Sequence, residues 1–271
     1  MGLFSQKPVP TANEIKKDTP EKRRFWLFFE IFFGQISKLV IANFIYSIAF
    51  LPLYLGIKIC FAVDFNSASI IVLKGGGIDI IGLALLVISL FVTFPATLGF
   101  TYVLRNIQRR EHAWLWHDFI KHTKANYFKG VINGLITLAV YYISVFAYGV
   151  YRSGIMGMGI VDHYLSILVI LVVLLFTWMG FYVNTMIVTF DMKLRDIYKN
   201  AFIFAIGKLP LNLLINFICI VIIYVSLLIP LISMLLGISI MFSLLGFITV
   251  FAVYPTIKST MIDKQGESKD E

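Results

Sequence analysis

The chain alternates between long apolar runs and short basic clusters. Charge-free stretches run from Lys38 to Lys58, Asp79 to Arg105, Lys129 to Arg152, Asp162 to Asp191 and Lys208 to Lys258. A helix that crosses a bilayer needs about 20 apolar residues. The first four stretches each fit one such helix. The last is long enough for two, with Pro230 and Gly237 supplying the break. The pattern therefore predicts six spans: Leu39–Val63, Ile80–Leu104, Val131–Tyr151, Tyr164–Phe190, Leu209–Leu228 and Leu235–Ile257. Phe, Leu and Ile surround every face of these runs, as suits helices bathed in lipid or in other helices. The period-two alternation of a membrane barrel is missing. The expected fold is an all-α polytopic membrane helix bundle, residues 39–257, with six transmembrane helices plus amphipathic interfacial helices.

Composition agrees. The 271 residues are 59% hydrophobic and 14% charged, whereas a soluble domain is about a quarter charged. The formal net charge of +8 could suggest nucleic acid, but its placement argues for topology. All but Lys58, Lys74 and Arg152 of the 23 lysines and arginines fall on the N-terminal segment, the Arg105–Lys129 loop, the Asp191–Lys208 loop and the C-terminal tail. Positive loops favour the cytoplasmic side, so both termini are expected there, with the basic clusters meeting anionic lipid heads. Lys58 can snorkel to the opposite interface beside Asp64. The polar first 24 residues lead us to expect no cleavable signal peptide. Cys60 and Cys219 fall within spans and read as small apolar residues.

Two segments outside the spans are amphipathic. After a flexible cytoplasmic N-terminus over 1–21, residues 22–38 read "KRRFWLFFEIFFGQISK": too short to span, with Arg23, Glu30 and Ser37 on one narrow stripe, hence an interfacial helix. Within the cytoplasmic loop 105–129, a helix over Glu111–Lys129 gathers Leu115, Trp116, Phe119, Ile120, Thr123 and Tyr127 on one face. His117, Asp118, Lys121 and Lys124 fall on the other. Trp114 does not fit the apolar face, so the helix is expected to start after it. This predicts a helix flat in the headgroup region, apolar side down. Its histidines, His112, His117 and His122, are five apart and so point in three directions, unlike the three- or four-residue spacing of a helical zinc site. "DMKLRDIYKNAFIFAIGKLP" forms a similar elbow, and 258–271 a cytoplasmic tail.

The strings "KRRFWLFFEIFF", "FPATLGFTYVLRN", "EHAWLWHDFIKHTKANYFKG" and "KNAFIFAIGKLP" together resemble the YesL-like family of bacterial integral membrane proteins. The resemblance runs from about Lys22 to Pro210. Its specific part is Pro95-Ala96-Thr97, then Tyr102-Val103-Leu104-Arg105-Asn106, then Trp116 with Asp118-Phe119. The family commonly has Gly before its Pro-Ala, where this chain has Phe94, and Gly56 to Ser89 is longer than in the short members. The resemblance implies a bacterial cell membrane location and an accessory or regulatory role in carbohydrate uptake, beside an importer subunit. It brings no catalytic residues.

Pro95 removes a helix hydrogen bond within the second span. With Ala96, Thr97 and Gly99 it is either a bent helix packed on a neighbour or a hinge at a solute site. Arg105, Arg109, Arg110, Trp116, Asp118, Lys121 and Lys124 form the candidate cytoplasmic face for lipid or a partner. Asn43, Thr97, Asn133, Tyr141 and Asn184 form a candidate intramembrane polar path. Asn133, Asn184, Asn212 and Asn216 all fall near the cytoplasmic ends, either lining a vestibule or capping and bridging helices. No Asp, Glu or Arg lies deep in a span, which disfavours a proton-coupled transporter. Nucleotide-binding, zinc-protease and serine-hydrolase motifs are missing. The expectation is a non-enzymatic protein with no cofactor and no metal. The alternatives are a channel or facilitator for a small neutral solute, and an ABC-type permease subunit. The latter lacks Glu-Ala-Ala before its elbow glycine, where the chain reads Asn200-Ala201-Phe202.

Overall fold

A computed structural model describes residues 23–62, 72–73, 80–111, 114–154, 156–228 and 237–262. The chain divides into two units, Met1–Gly34 and Gln35–Glu271. Within the first, α1 (Arg24–Gly34) carries ladders of rings four residues apart. Phe28 stacks on Phe32 at 5.8 Å, and Phe25 meets Phe29 edge-on at 5.0 Å. The flexible N-terminus expected over 1–21 lies outside the described residues.

In the second unit the helices are α2 (Ile36–Cys60), α3 (Ile80–Gln108), α4 (Leu115–Ala125), α5 (Tyr127–Arg152), α6 (Ile160–Ile187), α7 (Leu194–Gly207), α8 (Leu209–Leu228) and α9 (Phe242–Ile257). A π-helical turn, Gly237–Met241, leads into α9, and another, Lys258–Ile262, leaves it. Among the described residues six helices are long and apolar enough to cross a bilayer, and only 17–39% of each apolar stretch is buried within the protein. The remaining apolar surface needs hydrocarbon around it, so the protein is a six-span α-helical membrane bundle. After α2, Phe61–Ala62 pairs antiparallel with Val72–Leu73.

Helix α3 is the hub and packs against α2, α4, α5, α6 and α9. Small and hydroxyl-bearing residues let it do so. Thr93, Pro95, Ala96, Gly99 and Thr101 are all buried. Thr97 and Thr101 return their hydroxyl protons to carbonyls four residues back, at 2.9 and 2.7 Å, so they carry no orphan donor into the membrane. Thr93 instead donates across to the Ala49 carbonyl of α2 at 2.6 Å.

Helix α3 stays helical on both sides of Pro95, whose flank is closed by α5. A Cβ added to Gly130 would lie 2.7 Å from the Pro95 Cα, backbone against backbone. Gly130→Ala should therefore cost about 1–3 kcal/mol. Gly149→Ala in the same helix meets nothing within 4 Å and should gain up to about 1 kcal/mol from helix propensity. Thermal unfolding of the two variants in one detergent measures the contrast, and equal effects would refute the close approach.

Several polar residues of the spans act as ties between helices. Asn43 is fully buried and accepts the Ser243 N–H at 3.0 Å, while the Ser243 hydroxyl donates to the Leu39 carbonyl at 2.6 Å. The pair fixes the start of α9 on α2. Asn212 accepts the Tyr182 hydroxyl at 2.8 Å and donates to the Ala205 and Phe204 carbonyls, closing the last turn of α7. The apolar core around them joins Leu98, Tyr182, Val183, Met186, Ile197, Phe204, Ile215, Val253 and Ile257. It lies at the end of the bundle that carries α4 and α7.

Candidate solute cavity

A cavity of about 240 Å³ lies between α2, α3, α5, α6 and α7. Its apolar wall includes Leu53, Phe94, Phe176, Met179 and Val183. Its polar wall gathers three groups. At the α7 end, Tyr198 donates to Asn133 Oδ1 at 2.6 Å and Asn133 donates to Asn184 Oδ1 at 3.1 Å. Against α2, the Tyr46 hydroxyl meets Thr97 Oγ1 at 2.9 Å. Deeper along α5, the Tyr141 hydroxyl meets Thr177 Oγ1 at 2.9 Å. Desolvation raises the Tyr198 phenol to about 12, so it keeps its proton at neutral pH.

Four of the five residues proposed for a polar path, Thr97, Asn133, Tyr141 and Asn184, line this cavity. Asn43 does not, because it is used to hold α9. Of the four asparagines near this end, Asn133 and Asn184 meet across the bundle, while Asn212 ties α6, α7 and α8. The sequence reading had not singled out Tyr46, Thr93 or Tyr198. For Tyr198 a signal existed. The elbow buries Ile197, Ala201, Phe204 and Ala205, a helical stripe with Tyr198 at its edge.

A second cavity of about 360 Å³, lined by Phe100, Thr101, Leu104, Cys219, Phe242, Gly246 and Thr249 among others, shares Tyr46, Thr97, Gly180 and Asn184 with the first. The contact between Tyr46 and Thr97 thus sits where the two adjoin. Gly180 also belongs to both, and a Cβ placed on it meets nothing within 4 Å. Its bare face is open space.

The expected cytoplasmic face is redistributed. Arg105 is 7% exposed and turns into the bundle. Its Nη1 donates to the Val188 carbonyl at 2.8 Å and to Thr189 Oγ1 at 3.1 Å, at the carbonyl end of α6. A cation suits that end of a helix. Arg109 pairs with Glu111 at 2.6 Å and lies 5.7 Å from the Tyr254 ring. Arg110 is exposed, in a turn with φ 57°. Asp118 accepts the Trp114 N–H at 2.9 Å and so caps its own helix. Trp116, Lys121 and Lys124 stay exposed.

Helix α4 also faces differently from expectation. Its apolar side is turned onto α3 rather than outward: a Cβ on Gly99 would overlap the Phe119 carbonyl and Thr123. The notch left by glycine accepts the α4 backbone. His122 then stacks on Tyr102 with ring centroids 3.3 Å apart. His117 is exposed, and His112 lies outside the described residues. Among the described residues no group of three or more His, Cys, Asp and Glu comes together.

Desolvation lowers the His122 pKa, against a smaller raising effect of Asp118; Lys121 and Arg105 lower it further. The folded state therefore holds the neutral imidazole more readily than the unfolded chain. Stability from this group is present above the unfolded value near 6.5 and is lost as pH falls from there through the folded value. Between pH 7.5 and 5.5 the wild type should lose more thermal stability than His122→Phe, which keeps the stack without titrating. Identical pH profiles would contradict the assignment.

No curated protein and no solved structure matches the chain significantly. Residues 23–148, from α1 through most of α5, match the model of the family described as a protein of unknown function, DUF624, also called YesL, the family that the sequence resembles.

Proposed function

We propose that the protein is a non-enzymatic component of the bacterial cell membrane that supports uptake of a small neutral solute of the carbohydrate class, which it holds in the 240 Å³ cavity. The carrying observation is the cavity's polar wall. Thr97, Asn133, Thr137, Tyr141, Asn184 and Tyr198 converge on one space, and no carboxylate, ammonium or guanidinium stands among the described lining residues. A mostly apolar cleft with a few convergent neutral groups suits a small uncharged ligand. Ion- and proton-driven machines rely on charged groups within the bilayer, which favours support of an importer over pumping. Carbohydrate as the class comes from the resemblance of the sequence.

In this proposal both termini and the α4/α7 end face the cytoplasm, in keeping with the basic loops. The exposed residues Trp116, Lys121 and Lys124 engage anionic headgroups and an importer subunit there. A second reading, a facilitator, draws on the neighbouring 360 Å³ cavity, whose shared wall could part to make a continuous path.

Affinity purification in mild detergent after cross-linking, together with flux in liposomes holding the purified protein alone, separates the two. The accessory role predicts a stoichiometric solute-import subunit and liposomes that stay sealed to neutral sugars. Rapid equilibration of sugars through the protein alone would overturn it in favour of the facilitator.

A further inference from the structure

The hydrogen bonds around the cavity can be followed proton by proton. A hydroxyl has one proton to donate and two lone pairs. Thr137 gives its proton to the Asn133 carbonyl at 2.7 Å, and Thr93 gives its own to the Ala49 carbonyl. Thr97 gives its proton to the Thr93 carbonyl, so the contact between Tyr46 and Thr97 is donated by Tyr46. Thr177 gives its proton to the Val173 carbonyl at 2.8 Å, so Tyr141 is the donor in its own contact with Thr177. Tyr198 gives its proton to Asn133 Oδ1. Every one of these hydroxyl protons is held by the protein, and the oxygens of Tyr46, Thr137, Tyr141 and Tyr198 offer lone pairs.

Donors remain at one place only on this described wall. Asn133 Nδ2 uses one of its two hydrogens on Asn184 Oδ1, and Asn184 Nδ2 has no partner among the described residues. The wall is therefore a set of neutral acceptors with one amide corner that donates.

Resting on the reading of this cavity as a neutral-solute site, we infer that it selects by hydrogen-bond polarity: it takes a small polyol that donates several hydroxyl protons to the phenol and threonine oxygens and places one accepting oxygen at the amide corner of Asn133 and Asn184. A carboxylate, which only accepts, meets lone pairs and no cation. Analogues of the same shape without hydroxyl donors leave the wall's acceptors unpaired and lose affinity.

The test is equilibrium dialysis of the full chain in nanodiscs against glycerol, erythritol and sorbitol. Each is paired with an analogue bearing fluorine in place of hydroxyl, close in size but without donors, and glycerate serves as the anion. The expected result is retention of at least one polyol, with its fluoro analogue and glycerate at least about tenfold weaker. Asn184→Leu should weaken the retained polyol while thermal unfolding shows it folded; the wild-type panel stands without that variant. Fluoro analogues or glycerate bound as well as the polyols would overturn the polarity argument and leave the cavity reading intact. No retention of any probe would overturn both.

Discussion

Gly180→Leu should abolish retention of solute in the cavity while leaving the protein folded. Gly180 lies in α6 and lines both cavities, and a Cβ built on it meets nothing within 4 Å. The first carbon of a leucine there enters empty space instead of a neighbour, which helps to separate occlusion from misfolding. Most glycines that face a helix partner in this bundle cannot offer that separation: Gly99, Gly130 and Gly134 are each pressed against a neighbouring side chain or backbone. Gly180→Ala is the graded control. It should raise stability by up to about 1 kcal/mol through helix propensity and weaken binding less than leucine does. Dialysis of the retained polyol and thermal unfolding on the same samples read both quantities. Undiminished binding to a folded Gly180→Leu protein would place the solute elsewhere.

Arg105→Ala should be the most damaging single change at the α4/α7 end, at about 3 kcal/mol. Its guanidinium is buried, and Nη1 donates to both the Val188 carbonyl and Thr189 Oγ1 at the end of α6. Hydrogen bonds to a charged group contribute about 1.5–3 kcal/mol each, and removing the donor leaves a buried carbonyl without a partner. The Arg105 Cζ also lies 4.6 Å from the Tyr102 ring centroid, and that ring stacks on His122. Loss of Arg105 should thus loosen α4 as well as the seam between α3 and α6. Arg105→Lys should recover only part, because an ammonium lacks the planar fork. Unfolding midpoints in detergent give the ranking, and a loss no larger than that of exposed Arg110→Ala would refute the latch.

What could be read from the sequence follows from which forces are local. Six spans were legible because the bilayer sets a length and excludes charge, so gaps between charged residues mark the helices directly. The start of α4 after Trp114 was legible for a similar reason, since helical periodicity is a short-range pattern. The direction in which α4 faces was not. An apolar stripe fits lipid and a neighbouring helix equally well, and the notch at Gly99 that decides between them belongs to α3. Arg105 shows the same limit. An arginine at the start of a basic loop reads as part of the cytoplasmic face, and only the position of the α6 carbonyl end turns it inward. The neutral asparagines illustrate both outcomes. Asn133 and Asn184 meet at the cavity, whereas Asn43 and Asn212, the same residue type, tie other helices. The partner helices decide this, and no local pattern encodes them.

We propose the space bounded by Asn133, Asn184, Tyr198, Tyr46 and Tyr141 as the site for a neutral solute. The most direct measurement is an experimental density map of the protein in nanodiscs saturated with the polyol retained in dialysis. Compact density is expected within hydrogen-bond distance of Asn184 Nδ2 and of the Tyr198 oxygen, and none when the same map is made with Gly180→Leu. A lipid acyl chain filling that space, or unchanged density in the leucine variant, would contradict it.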